Sequence, residues 1–443
     1  MKTKTNAFSP AKVLVRGFLV VIFAGSILLA QPAAVYQGRL AYLDALFTAT
    51  SAVCVTGLVV VDTGTTFTLF GQLVIMILIL IGSLGFMTMA TLIFIFLGRK
   101  ITLRDRLLIR EAMNTDTTQG LVLLTLSVFK LALLMQLIGT LLLSIRFVPM
   151  MGLGKGLYFG LFHAISAFGN AGFDLMGNFQ SLTGFADDLL VSGVIAALFI
   201  IGGLGFTVIL EMYQKRRFRA YSLHTKMVLT ITGTLLVVGT VALLLLEYNN
   251  PETLGGLAGF HKILAAFFTA ATPRTAGFNV VPTGLLYPTT LFLIMMLMFI
   301  GASPASTGGG IKTTTFGTLL FSVISLVRGR GDVAIFERQI PFSIIMRSLG
   351  IIFISLVIVL AALFILTITE EADFLAIVFE VFSAFGTVGL STGLTPDLSP
   401  VGRAVIIITM FVGRVGPLTM AFALAHRELR KGIHYPEERI MVG

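Results

Sequence analysis

Apolar runs alternate with short polar stretches along the whole chain, and their lengths fall into two classes. Eight runs, near 12–31, 72–97, 120–145, 189–213, 225–246, 287–301 continuing to 327, 345–368 and 401–425, are of the length, about 20 residues or more, that carries a helix across a bilayer. Between them lie four shorter apolar segments, 47–57, 162–172, 267–277 and 379–389, of about a dozen residues each, too short to cross. These are predicted to dip into the membrane and return, which non-helical backbone tolerates only inside protein or against a water-filled cavity. Each ends in a glycine with phenylalanine ten residues before it: Phe47 and Gly57, Phe162 and Gly172, Phe267 and Gly277, Phe379 and Gly389. Three carry serine six residues before the glycine (Ser51, Ser166, Ser383), and a large apolar residue follows every one (Leu58, Phe173, Phe278, Leu390).

The pattern predicts an all-α polytopic membrane protein of four tandem helix, pore loop, helix repeats. Eight transmembrane helices and four re-entrant half-helices would surround one central pore. The repeats divide as 1–100, 119–220, 221–330 and 342–430, with a tail over 431–443. All four run in one direction, so their symmetry axis lies along the membrane normal, unlike the inverted repeats of many secondary transporters. The second helices carry a further match in IGSLGF (81–86), IGGLGF (201–206), IGASPA (300–305) and VGRVGP (412–417), read as small residues that let helices pack closely.

Composition agrees with a membrane protein: 56% hydrophobic residues, 12% charged and a mean hydropathy of +0.98. Cys54 is the only cysteine, which excludes an internal disulfide framework. Residues 1–30 resemble a secretory leader, with Lys2, Lys4 and Lys12 before an apolar run, but removing them would strip repeat one of its first helix, so an uncleaved span is expected.

Charge sets the orientation. Alternating sides across eight spans places 22 basic residues on one side and six (Arg39, Arg146, Lys155, Lys262, Arg274, Arg403) on the other. The basic side is predicted to be cytoplasmic, with both termini, in a multi-pass protein of the cell membrane whose pore loops enter from outside. The net charge of +10 then reports topology and the lipid bilayer, not a nucleic-acid partner. Asp44, Asp62, Asp174, Asp187, Asp188, Glu247, Glu252, Glu370, Glu371, Asp373, Glu380 and Asp397 fall outside and suggest an acidic vestibule that concentrates cations.

Four chains converging on one axis leave no room for side chains at the narrowest level, and the dihedrals needed there are often open only to glycine. Extended backbone with its carbonyls on the axis replaces an ion's hydration shell. The candidate selectivity filter is therefore Val55, Thr56 and Gly57; Asn170, Ala171 and Gly172; Thr275, Ala276 and Gly277; Thr387, Val388 and Gly389. K+ would be held by the backbone carbonyls of the four glycines. No carboxylate occupies these positions, which disfavours an acidic side-chain ring. Half-helices entering from outside would turn their C-terminal ends toward the cavity and favour a cation.

Residues 301–315, GASPASTGGGIKTTT, interrupt the second helix of repeat three, since proline costs about 3 kcal/mol and each glycine about 1 in a helix interior. A loop at this depth beneath the filter reads as a gate, with Ser306, Thr307, Gly308, Gly309 and Gly310 as its core. Arg414 replaces the small residue of the other repeats (Ser83, Gly203, Ala302), and an arginine at that depth must face the cavity and find acceptors, for which the loop is the natural source. Lys312 either belongs to the same barrier or snorkels away, and Lys130 snorkels or packs at a helix interface.

The segments VTGLVVVDTG (55–64), HAISAFGNAGF (163–173), TPRTAGFN (272–279) and FSAFGTVGL (382–390) resemble the Trk/Ktr/HKT superfamily of potassium transporters, and within it the bacterial Ktr-type membrane subunit. The resemblance spans essentially the whole chain. It implies potassium uptake, an intramembrane gate with its arginine, a homodimer with one pore per chain, and a cytosolic RCK-type (KtrA-like) regulatory ring binding ATP/ADP. Gly57, where some sodium-selective plant members carry serine, implies a potassium-permeable filter. No cofactor is expected in the chain, and whether sodium is coupled stays open. The alternative is a cation channel or transporter with weak discrimination of potassium over sodium and no ion coupling. The segments 99–118, 214–226, 328–343 and 427–443 are candidate docking surfaces. An enzyme is not expected, because His163, His224, His261, His426 and His434 form no catalytic or metal spacing; His163 reads as packing or a polar cap.

Overall fold

In a computed structural model, residues 10–85, 88–89, 91–92, 121–424, 438 and 441 are described. The basic residues between 93 and 120, the segment 99–118 and the tail beyond 424, including the candidate docking surfaces there, lie outside the described residues apart from those two positions.

The fourfold unit is visible in the order of elements. Each repeat opens with a long apolar helix: α1 (Pro10–Leu29), α4 (Leu121–Met151), α8 (Leu223–Glu247) and α12 (Phe342–Thr369). A short half-helix follows: α2 (Tyr42–Cys54), α5 (Leu153–Gly169), α9 (Gly259–Ala271) and α13 (Phe374–Gly386). The chain then turns back and starts a second helix: α3 (Leu69–Leu84), α6 (Leu189–Leu204), α10 (Pro288–Phe299) and α14 (Pro400–Val415). After a break come α7 (Phe206–Lys215) in repeat two, α11 (Thr313–Val327) in repeat three and α15 (Pro417–Leu424) in repeat four.

The four opening helices are the continuous ones of membrane-crossing length among the described residues, and α6 with α7, bent by 95°, reaches that length only as a broken pair. The second helices are thus broken in every repeat, not only in the third. The reason is the second glycine of the repeated IGxxG pattern, read from sequence as a packing residue. Gly85, Gly205 and Gly416 sit at φ of +81°, +97° and +93°, where the helix stops. In repeat three Pro304 occupies that place and Ala305 takes the left-handed value, φ +51°.

The first glycine of the same pattern does pack closely. A side chain on Gly82, Gly202 or Gly413 would meet the carbonyl oxygen of Val53, Phe168 or Phe385, at the end of that repeat's own half-helix. Backbone against backbone is how these second helices hold the half-helices in place.

Polar clamps fix the outer ends. Thr68 N donates to the Ala34 carbonyl at 3.0 Å; Arg146 pairs with Asp188 at 2.7 Å; the Tyr287 amide donates to Glu247 at 2.9 Å; and the Ser399 amide donates to Glu370 at 2.8 Å. Each ties the end of an opening helix, or in repeat one the turn that follows it, to the start of the second helix of its own repeat. Arg403 with Asp44, at 2.5 Å, ties repeat four to the half-helix of repeat one and closes the ring.

The half-helices are the core. Phe47, Phe162, Phe268 and Phe379 are fully buried. In repeat three the buried ring is Phe268, nine residues before its glycine, while Phe267 is only partly buried, so the match by spacing is off by one there. Pro273, which lacks an amide proton, ends α9 early and shifts its register. Lys130 lies exposed on the flank of α4.

Gly413→Ala is expected to destabilise the protein by about 1–3 kcal/mol through overpacking against Phe385. Gly350→Ala, where the added methyl meets nothing, is expected to leave the thermal unfolding midpoint in detergent within error of the parent; equal midpoints for both variants would refute the close approach.

Candidate functional site

Three half-helices end with the same hydrogen-bond pattern. The amides of Val55, Asn170 and Thr387 donate to the carbonyls of Ala52, Ala167 and Ala384 at 3.2, 3.0 and 3.1 Å, and the next amides donate to Ser51, Ser166 and Ser383, each at 2.8 Å. This is the helix terminus that usually places glycine in the left-handed position. Here the left-handed residues are Val55 (φ +54°), Asn170 (+56°) and Thr387 (+51°), with Thr275 (+73°) at the matching place in repeat three. Only Asn170 is a residue type at home in that conformation. Sequence propensity gave no sign of the other three.

The repeated serines serve the turn that follows. The Ser51 and Ser383 hydroxyls accept from the Gly57 and Gly389 amides at 3.0 and 3.1 Å. Ser166 instead donates to the Phe173 carbonyl at 2.6 Å, and Thr272, five residues before its glycine, does the same to Phe278 at 2.6 Å. His163 is held between the Phe159 carbonyl, 2.8 Å from Nδ1, and the Leu175 amide, 3.3 Å from Nε2, and so shapes the loop after Gly172.

The four glycines meet in chain order around an axis, at φ of +92°, +70°, +79° and +95°. A Cβ built on Gly57 would lie 2.6 Å from the Ala171 carbonyl oxygen and 3.0 Å from the Gly172 Cα; one on Gly172 would lie 2.9 Å from the Gly277 Cα and 3.0 Å from the Ala276 oxygen. On Gly277 it would lie 2.5 Å from the Val388 oxygen, and on Gly389 it would strike the Thr56 oxygen. The ring closes on itself. Both left-handed dihedrals and backbone crowding exclude a side chain at all four positions.

Among the described residues, no hydrogen bond reaches the carbonyl oxygens of the twelve residues predicted as the filter, from Val55 to Gly57, Asn170 to Gly172, Thr275 to Gly277 and Thr387 to Gly389. Buried carbonyls are paired in well over nine cases in ten. Twelve acceptors without protein partners, close to the C-terminal ends of four half-helices, gather negative potential at the ring. On one side the glycines open into a cavity of about 430 Å³, whose wall includes Asp62, Asp174, Ser181, Asn279 and Thr395.

Of the acidic residues assigned to that side, Asp62 and Asp174 line the cavity. Asp44, Asp188, Glu247 and Glu370 are spent on the clamps, and Glu380 is buried, accepting from Ser391 at 2.9 Å and from Thr395. Asp62 and Asp174 thus line the cavity itself, while Asp187, Glu252, Glu371, Asp373 and Asp397 lie exposed on the protein surface. Arg274, assigned to the same side by charge counting, is buried beside α8, where Nη2 donates to Thr232 at 3.1 Å. It follows Pro273 at the end of α9, a place that counting along the chain cannot tell from a surface loop.

Beneath the ring the 301–313 loop is ordered and tied to its neighbours. Ser303 and Thr307 amides donate to Gly203 and Gly202 at 3.0 and 3.2 Å, Gly310 to Gly413 at 3.3 Å, and the Ala302 amide to Gly309 at 3.3 Å within the loop. Ser306 turns inward and donates to the Ser303 carbonyl at 2.6 Å. Lys312 does not snorkel away: its Nζ donates to the Gly308 carbonyl at 2.7 Å and also approaches that of Gly309. Arg414 donates to the carbonyls of Thr307 and Gly82 and reaches that of Ser83 at 3.5 Å, so one guanidinium spans the loop and the second helix of repeat one. A cavity of about 260 Å³ lies on the far side of the loop, lined by Ser306, Gly308, Gly310, Lys312, Arg347 and Arg414.

A helical membrane chain whose four tandem re-entrant loops converge on a ring of glycines defines the class of four-repeat membrane proteins. Within that class, the model of the TrkH family, described as cation transport protein, matches residues 3–429, and the chain belongs to that family. It is 49% identical over 436 residues to Ktr system potassium uptake protein B of Bacillus subtilis, covering 98% of this chain and 97% of that protein. The protein of the same name from Vibrio alginolyticus is 43% identical, covering 98% and 94%. Potassium/sodium uptake protein NtpJ of Enterococcus hirae is 40% identical, covering 100% and 99%. The crystal structure of the potassium transporter TrkH from Vibrio parahaemolyticus shares the fold, with a TM-score of 0.75 over 96% of this chain and 87% of that one, at 18% identity.

Proposed function

We propose that this chain takes up potassium across the cell membrane as the ion-translocating subunit of a Ktr-type system. The observation that carries the reading is the set of twelve carbonyls without protein partners around four touching glycines. A desolvated potassium ion supplies what those oxygens lack. The near identity in length with relatives named for potassium uptake supports the same cation, and the relative named for potassium and sodium keeps sodium dependence within the reading. Selection acts at the level of Gly57, Gly172, Gly277 and Gly389, with Val55, Thr56, Asn170, Ala171, Thr275, Ala276, Thr387 and Val388 adding carbonyls behind them.

The loop from Ser306 to Gly310, with Lys312 and Arg414, is proposed as the gate. It lies between the ring and the inner cavity, and the Arg414 guanidinium at its edge opposes a passing cation. The Asp62 and Asp174 cavity is proposed to face outward, with both termini in the cytoplasm, as the charge distribution predicts. The chain is proposed to work as a homodimer regulated by a cytosolic nucleotide-binding ring, the partner that a system name implies for such relatives.

Gly57→Ser is expected to weaken potassium over sodium discrimination in rubidium-uptake competition assays, because a side chain there meets the Ala171 carbonyl; unchanged discrimination would sink the filter assignment. Arg414→Ala is expected to raise potassium flux through the protein without its partner, and an equal or lower flux at normal expression would count against the gate.

Burial pushes the Asp174 carboxyl up to about 6; a hydrogen bond from Met176 opposes the rise, the neighbouring Asp62 adds to it and Ser181 opposes it. Above that pH the carboxylate attracts cations, and below it the charge is lost. Uptake at limiting potassium is therefore expected to fall as the external pH drops through about 6, and Asp174→Asn to flatten the profile there. A profile identical to the parent's would dismiss the role of this carboxylate.

A further inference from the structure

We infer that Asn170 and Thr387 are positioning residues through which the closed loop holds the filter in shape, so that the state of the loop sets ion discrimination as well as flux. The inference rests on the filter and gate reading above and adds a coupling between them. Three of the four left-handed residues at the base of the strands are bonded to the loop or to one another. The Thr307 hydroxyl donates to Asn170 Oδ1 at 2.9 Å, Asn170 Nδ2 donates to Thr275 Oγ1 at 3.1 Å, and the Gly309 amide donates to Thr387 Oγ1 at 3.1 Å. The packing is as tight as the bonding: a Cβ on Gly308 or Gly309 would strike the side chain of Thr275 or Thr387.

These contacts bear on the dihedrals that the filter needs. Thr387 and Thr275 are β-branched residues at φ of +51° and +73°, a conformation that such side chains keep only when their surroundings over-determine it. Asn170, Thr275, Thr307 and Thr387 are fully buried, so no exposed solvent stands ready to replace a lost partner. Each left-handed residue carries the first of the three carbonyls of its segment and sets the direction of the two that follow. Withdrawing the loop removes a partner from repeats two and four directly and frees Asn170 to leave Thr275. Repeat one is exempt, because Val55 has no polar side chain, and its link to the loop runs through Arg414 instead.

The loop therefore grips the ring unequally, and what it does to the ring the ring does to it. Coupling of this kind is reciprocal. An ion that fits the closed filter favours the closed loop, and one that distorts it favours release.

The test uses the full-length protein in proteoliposomes, with rubidium flux and potassium against sodium competition measured for Thr307→Val, Thr387→Val, Thr387→Ser and Arg414→Ala. Loss of one such hydroxyl is expected to raise flux and to shift the potassium to sodium preference by about three- to tenfold, whereas Thr387→Ser, which keeps the hydroxyl, stays near the parent. Raised flux with an unchanged ion preference overturns the coupling. If Arg414→Ala opens the pathway but neither valine variant alters flux or preference, the coupling is refuted while the gate stands; if Arg414→Ala also has no effect, the gate itself is refuted. Hydrogen exchange of the parent protein gives a check free of folding defects: the Gly309 amide is expected to exchange more slowly in potassium than in sodium, and equal rates overturn the proposal.

Discussion

Backbone crowding at four glycines is the constraint from which the rest of this molecule follows. Each glycine stands within contact distance of the carbonyl that precedes the next, so the ring admits no side chain and leaves its oxygens without donors. Unpaired buried carbonyls are costly anywhere in a protein, and a low-dielectric surround raises that cost. The fold therefore has to hold them in place by force elsewhere. It does so with the serine-capped ends of the half-helices, with second-helix glycines pressed on those ends, and with clamps at the opposite rim. The Asp44 and Arg403 pair closes the circle between the first and last repeats.

Strain sits one step behind the ring. Valine and threonine in left-handed backbone cost of order 1–3 kcal/mol each, yet Val55, Thr275 and Thr387 all adopt it. A glycine there would relax the turn and give up what a side chain offers: Val55 fills apolar space under its strand, while Asn170, Thr275 and Thr387 provide polar contacts toward the loop. The residue types at this level thus serve what lies beneath, and the glycines serve the axis.

Much of this was legible in the chain, because a membrane leaves few structural options. Run lengths marked the four long opening helices but not the breaks in the second helices, whose first pieces are about as short as the half-helices, and four glycines at matched positions marked the ring. Other features were hidden for physical reasons. The pattern IGxxG reads equally as close packing and as a helix stop, and the molecule uses its first glycine for one and its second for the other. Repeat three imitates the phenylalanine spacing while Pro273 shifts its register, so Phe268 is buried in place of Phe267 and Thr272 supplies the hydroxyl for which this repeat has no serine. Charge counting placed Arg274, Glu247 and Glu380 at a water surface, although all three are buried and bonded to groups that lie distant in sequence.

The exceptions to fourfold symmetry share one logic. A symmetric ring needs identical backbone in every repeat, and only glycine gives that, so variation is confined to the layers above and below. Repeat three spends its second helix on a loop, and repeat four spends a small residue on Arg414, whose guanidinium binds that loop to repeat one. Lys312 curls back on the loop's own carbonyls and satisfies acceptors that a helix would have satisfied internally. A loop held this way depends on contacts from repeats two and four, with repeat one reached only through Arg414. Release at any one of these contacts weakens the others, because the same few residues carry them all: Thr307 meets Asn170 through its hydroxyl and Arg414 through its carbonyl.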